Sequence, residues 1–361
     1  MNGGRIKLAR KRAGLSLRAL ADRMDGKVSA QAIGKYERGE MTPSSDVLLA
    51  LVKALDVSLP YLMSPQSVEL RDVEFRTKSS TTARDRAKVE TAVLETVERY
   101  FQIEQILELD SAEWLCPRPM PRMIRSADEA EALADELRDA WDLGVDPIPN
   151  MTELLEEKGI KVLMLELPER VSGFTCLVER PERDRVPVVV VNASFNLERR
   201  RFTLAHELAH RVIRAREQDQ GQVERWCNRF AGAFLVPKEH LQAEAGGRRQ
   251  AVGYREILDL KKLYGVAASA LLVRLEQVRI IHNSALQYAF RTFAKGWRTS
   301  EPEAIEEEHE ASLEKPKRFE RLVYRALSED MISAPKAAEL LRVPVAQVEL
   351  GLKGPADAHH R

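Results

Sequence analysis

The stretch FTLAHELAHRVI, residues 202–213, constrains the fold of this chain more than any other. His206 and His210 stand four residues apart with Glu207 between them, and apolar residues flank the set. On an α-helix a four-residue step is close to one full turn, so the two imidazoles share a face. Two neutral imidazoles placed this way can hold one Zn2+, with Glu207 to the side, in position to take a proton from water. A plain core helix with hydrogen-bonded or exposed histidines would show the same pattern. A third ligand separates the two readings, because a catalytic zinc needs three protein donors and an open fourth position.

The next segment, QVERWCNRFAGAFLVP (222–237), reads as a second helix stopped by Pro237, with REQDQG (216–221) as the turn between. In an antiparallel hairpin His210 lies about a turn before the loop and Glu224 just after it, so the two can face each other. Glu224 is the best-placed third ligand, and Asn228, one turn deeper, is expected beside His206 as its hydrogen-bonding partner. Glu217 and Asp219 in the turn and His240 beyond Pro237 are rivals. Around this hairpin, MTELLEEKGIKVLMLEL (151–167) reads as helix, Gly159, strand. GFTCLVE and VPVVVVN read as strands joined by the charged hairpin RPERDR. Helices are predicted over DEAEALADELRDAWDLG (128–144) and, as a pair, over 254–281. The sum is an α+β domain over 126–290.

RRRFTLAHELAHRVI followed by VERWCNRFAGAFLVP resembles the ImmA/IrrE family of zinc metallopeptidases, over about residues 145–280. That family carries H-E-x-x-H on one helix and a glutamate ligand before an N-x-F-A…P run on the next. Carried over by position, the resemblance implies a zincin-like metallo-endopeptidase holding Zn2+ by His206, His210 and Glu224, with Glu207 as general base. The donor that would steady the tetrahedral oxyanion stays open among His240, Tyr254 and Arg274.

The head of the chain has another character. Residues 1–40 hold ten Lys/Arg against four acidic residues, in a chain whose formal net charge is zero. One module therefore suits phosphate and the others do not. SLRALADRM opens on Ser16 and SAQAIGKYERGE on Ser29, both good N-caps, giving two helices joined by DGKV. Leu17, Leu20 and Ile33 are expected to fill a small core, and Ala21 to sit where the helices cross. Ser29, Ala30, Gln31 and Lys35 would project from the start and outer face of the second helix. Gln31 can pair with adenine, and Lys35 can reach guanine or phosphate. Arg10, Lys11, Arg12 and Arg18 are candidate phosphate contacts.

Residues 5–63 resemble the phage-repressor (XRE) helix-turn-helix family, through Leu15, Leu20, Ala21, Ile33, the YERGEMTP run and the closing leucines Leu48, Leu51, Leu55 and Leu62. The DGKV turn is longer than the shortest repressors use. The family reads operator DNA in paired half-sites, which implies a homodimer.

These readings divide the chain into a DNA-binding domain (1–65), a helical spacer (66–125) with a long helix from about Thr82, the zincin-like domain (126–290), an acidic linker (291–315) and a helical tail (316–361). The expected fold class is multidomain: an all-α lambda-repressor-like domain, then an α+β metallopeptidase-like domain and a small helical tail. Purely apolar runs such as VPVVVV are far too short to span a bilayer. The N-terminus is polar and basic, so no secretory signal is expected. Cys116, Cys176 and Cys227 are scattered and odd in number, which argues against a disulfide framework and for a reducing, cytoplasmic setting. Together the two resemblances imply a DNA-binding transcriptional regulator whose zinc domain cleaves a regulatory protein, itself or a partner. The alternative is a repressor, or the antitoxin of a toxin pair, whose zinc domain senses a ligand or binds a partner without proteolysis.

Overall fold

The computed structural model describes residues 3–57, 59–63, 69–71, 82–109, 114, 116–180, 183–216, 220–297, 299–305 and 314–353. The chain forms two compact units. One comprises Met1–Ser111, Cys176–Arg185 and Phe319–Arg361, and the other Ala112–Thr175 and Val186–Arg318.

The first unit opens with α1 (Gly3–Arg12), α2 (Leu17–Arg23), α3 (Ala30–Glu37), α4 (Ser45–Leu55) and α5 (Leu59–Met63). Ser16 and Ser29 cap α2 and α3, each hydroxyl oxygen accepting from the backbone N–H three residues on, at 3.0 and 3.2 Å. Asp25 and Gly26 turn the chain between them with positive φ. Ile6, Leu20, Ile33 and Leu51 are fully buried in the small core, and Ala21 is buried with them. Gly3 admits no side chain, since a Cβ there would lie 2.1 Å from the Tyr36 carbonyl oxygen. The start of α1 thus rests directly on the end of α3.

Two arginines expected from the sequence to face phosphate are committed inside the protein. Arg10 forks onto Glu37 at 2.6 and 2.9 Å and donates to the Leu15 carbonyl at 2.8 Å. Arg12 donates to Glu95 at 3.3 Å and to the Leu55 and Asp56 carbonyls. The basic excess of the head therefore overstates the charge it can offer DNA. Arg18 and Lys35 are exposed.

Strand β1 (Glu69–Arg71) pairs antiparallel with β4 (Gly173–Arg180), Leu70 opposite Val178. Helix α6 (Ala83–Ile106) starts at Thr82, whose side chain accepts from Asp85 N–H at 3.1 Å, and packs on α1.

The second unit contains β2 (Arg122–Met123), α7 (Ala127–Ala140), α8 (Met151–Glu157), β3 (Lys161–Leu165), the start of β4, β5 (Arg183–Asn192) from Val186 on, α9 (Leu197–Val212), β6 (Ile213–Arg214), α10 (Gln220–Leu235), α11 (Lys238–Ala245), α12 (Tyr254–Tyr264), α13 (Ala268–Gln277) and α14 (Asn283–Arg291). β3 and β5 pair in parallel from Lys161–Val188 to Leu165–Asn192. Val162, Leu163 and Val188–Val191 are buried, as the apolar run in each strand requires. α10 packs between α7 and α9.

The acidic stretch, expected as a linker, is anchored in this unit at both described ends. Lys261, fully buried, meets Glu198 at 2.7 Å and Glu301 at 3.0 Å, and the Ile305 N–H donates to Glu198 at 3.0 Å. Glu314, also buried, pairs with Arg201 and accepts from the Met151 and Thr152 N–H groups at the start of α8. Buried charges persist only when paired and hydrogen-bonded, and these are.

The tail forms α15 (Arg318–Ser328), α16 (Ala334–Leu341) and α17 (Val345–Lys353) within the first unit. Tyr100, Ile103 and Leu107 of α6 share one apolar cluster with Leu322, Val323, Ala326, Leu340 and Val348. The long helix is thus a scaffold between head and tail. Its buried Glu95 accepts from Tyr61 at 2.9 Å and pairs with Arg12 and Arg342.

Burial works to raise the Glu95 pKa, but Arg342, Arg12 and Tyr61 outweigh it and hold the carboxyl below its ordinary range. A depressed folded pKa means stabilisation present in full above the unfolded value and lost as pH falls through the folded one. Glu95→Gln is expected to cost about 1–2 kcal/mol at neutral pH and to blunt the acid sensitivity of this unit. Amide exchange of α1 and α6 at pH 7 and below pH ~4 checks it. Equal protection in variant and wild type at pH 7 would remove Glu95 from this role.

Candidate metal centre

α9 begins at Asn196, whose side-chain oxygen accepts from Arg199 N–H at 3.1 Å. Leu204, Ala205, Leu208, Ala209 and Val212 bury one stripe of the helix completely. His206 and His210 occupy the neighbouring stripe. The helix stops at Ile213, which turns extended and pairs in β6 with Arg122 of β2. α10 then returns alongside and brings Glu224 opposite the histidines.

The ligand atoms of His206, His210 and Glu224 all lie within 4.8 Å of one another. The two Nε2 atoms are 3.2 Å apart. Glu224 places one carboxylate oxygen 3.4 Å from His206 Nε2 and the other 3.9 Å from His210 Nε2. Exposure grades across the cluster, from 2% for the His210 side chain to 14% for His206 and 41% for Glu224. The carboxylate side therefore gives onto solvent while the imidazoles are held from behind.

The outer nitrogens of both rings are occupied. His206 Nδ1 lies 3.0 Å from Asn228 Oδ1, as expected from the hairpin. An amide oxygen only accepts, so the contact is satisfied by the tautomer with its proton on Nδ1, which leaves the Nε2 lone pair for the cluster. His210 Nδ1 lies 3.1 Å from Cys227 Sγ. The cysteine count alone misses Cys227, although the steps from Glu224 to Cys227 to Asn228 set all three on one helical face. Two imidazole nitrogens and a carboxylate oxygen, preorganised this way, match the donor set that Zn2+ takes in open sites. Glu207 is buried on the same helix.

Of the rivals, His240 lies apart from the cluster. His240 holds Tyr264 at 2.8 Å, and its other nitrogen is 3.9 Å from Asp146. Glu217 and Asp219 are outside the described residues. Of the oxyanion candidates, Arg274 is buried against Glu131 and the Val236 carbonyl, both at 2.9 Å, so it braces α13 to its neighbours. Tyr254 packs edge-on against Phe293 and at a tilt against Trp297.

On the first unit, Arg18, Ser29, Gln31 and Lys35 are exposed and Ala30 is half-exposed. Gln31 and Lys35 are one turn apart on α3, so they share a face. The Ser29 oxygen is engaged as the cap, which leaves its hydroxyl hydrogen to donate.

Two family models match the chain: Peptidase M78, the IrrE N-terminal-like domain, over residues 155–276, and a helix-turn-helix over residues 6–62. No curated protein matches it. Among solved structures, a Mycobacterium tuberculosis transcriptional regulator is similar at 17% identity with a TM-score of 0.30, over 49% of this chain and 51% of that one. The chain thus spans about half the length of that relative. Among the described residues no helix is long and apolar enough to cross a membrane.

Proposed function

We propose that this chain, an XRE-type helix-turn-helix domain joined to an IrrE/ImmA-like domain, is a DNA-binding transcriptional regulator whose second domain is a zinc metallopeptidase acting on a regulatory protein. The observation that carries the reading is the convergence of His206, His210 and Glu224. When bound, Zn2+ supplies a Lewis acid that polarises a peptide carbonyl and acidifies water. His206 and His210 would hold it through Nε2, with their Nδ1 atoms braced by Asn228 and Cys227. Glu224, the more exposed of the three, would be the third ligand. The Glu207 carboxylate takes the proton of the attacking water and returns it to the nitrogen of the leaving amine.

The head reads an operator with α3. Gln31 and Lys35 reach base edges or phosphate, Ala30 lies against the groove, and Ser29 and Arg18 meet the backbone. Two copies bind paired half-sites. The substrate is the chain itself or a protein partner, and the protein works in the cytoplasm on chromosomal DNA.

Genome-wide DNA occupancy and transcript levels, compared between wild type and Glu207→Gln, test the reading. The expected result is shared operator sites with transcription locked in one state in the variant. Shared sites with wild-type switching would instead favour a ligand-sensing repressor or antitoxin, and absence of discrete sites would end the regulator reading.

A further inference from the structure

We infer that Cys227 is a positioning residue of the metal centre: its thiol holds His210 at Nδ1 and so fixes Nε2 toward His206 and Glu224. The inference rests on the metal-binding reading above. Little more than one turn of α10 brings three groups to the two imidazoles. Glu224 lies at the inner nitrogens, while Cys227 and Asn228 each hold one outer nitrogen.

The thiol is at the far nitrogen of the His210 ring, so it braces the ring and is not a donor to the same ion. Cys227 is fully buried and the His210 side chain is 2% exposed. The contact is therefore shielded from solvent, and removing the sulfur takes a hydrogen-bond partner from a buried ring nitrogen. A neutral ring bound to metal through Nε2 carries its proton on Nδ1, which then donates to Sγ. Sulfur is a weak acceptor, so His210 gains orientation from this contact and less basicity than a carboxylate partner would give.

A buried cysteine is also a small apolar filler, and the two roles order the substitutions differently. If the hydrogen bond matters, Cys227→Ser keeps a donor and acceptor and does best, while Cys227→Ala and Cys227→Val lose it. If only packing matters, the apolar replacements do best and the hydroxyl is the poor one.

The test is Co2+ titration of the full chain and these three variants, followed by visible and near-ultraviolet absorption, with thermal unfolding to confirm that each variant folds. The expected result is about 10–100-fold weaker Co2+ binding in Cys227→Ala and Cys227→Val, substantial recovery in Cys227→Ser, and no thiolate-to-cobalt charge-transfer band in wild type. Unchanged affinity in Cys227→Ala, or Cys227→Val binding better than Cys227→Ser, overturns the inference. A charge-transfer band in wild type that vanishes in Cys227→Ala overturns it too, by making the sulfur a ligand. Failure of the wild type itself to take up Co2+ refutes the metal reading beneath it, which is a separate outcome.

Discussion

Glu207→Gln is expected to keep its metal and to lose peptide-bond hydrolysis by about 10²–10⁴-fold. The three proposed ligands are His206, His210 and Glu224, so the substitution removes none of them. Glutamine matches glutamate in size and can still hydrogen-bond at that buried position, but it cannot accept the proton of the attacking water. Fragments of the chain itself and of co-purifying proteins, counted by mass spectrometry after incubation with Zn2+, measure the effect. A chelator control separates this activity from contaminating proteases. Equal cleavage by variant and wild type would take the general base away from Glu207, and metal loss in the variant would make it a ligand.

The second large effect is on DNA. Gln31→Ala with Lys35→Ala is expected to weaken specific operator binding by about 10²–10³-fold, since each good base contact discriminates by about 1–3 kcal/mol. Both side chains are exposed on α3, and the apolar side of that helix, Ile33 and Tyr36, is buried in the core. Truncating them therefore leaves the fold in place. Binding isotherms at two or more salt concentrations distinguish their parts. Loss at Gln31 falls on the cognate sequence alone, whereas a phosphate contact at Lys35 lowers the salt slope by about one. Unchanged affinity for the cognate site would remove α3 as the reading helix.

The parts of the fold that were legible in the sequence are those set by local chemistry. Ser16 and Ser29 cap the helices they were expected to cap, and the long helix starts at Thr82 as expected. The four-residue step of the histidines and the short hairpin to Glu224 bring those side chains together because helix geometry allows little else. Longer-range pairing was not legible. Glu198, Arg200 and Arg201 are charged yet buried, with Glu198 and Arg201 partnered by Lys261 and Glu314 far along the chain. Arg10 and Arg12 look like phosphate contacts until Glu37 and Glu95 are seen beside them. Pro237 reads as a stop in the sequence, and in the fold it is also the N-cap residue of α11. Cys227 gives no signal by residue type, only by its step from Glu224. The seating of the tail on α6 joins residues 241 positions apart, as Arg99 and the Leu340 carbonyl do, and no local pattern encodes that.

Metal content tests the central claim most directly. The full chain, purified without added chelator and assayed by elemental analysis, is predicted to carry one zinc-class ion per molecule, and the His206→Ala, His210→Ala double variant to carry none while remaining folded by circular dichroism. A folded wild type without stoichiometric divalent metal, or a double variant that retains as much as the wild type, would contradict the account.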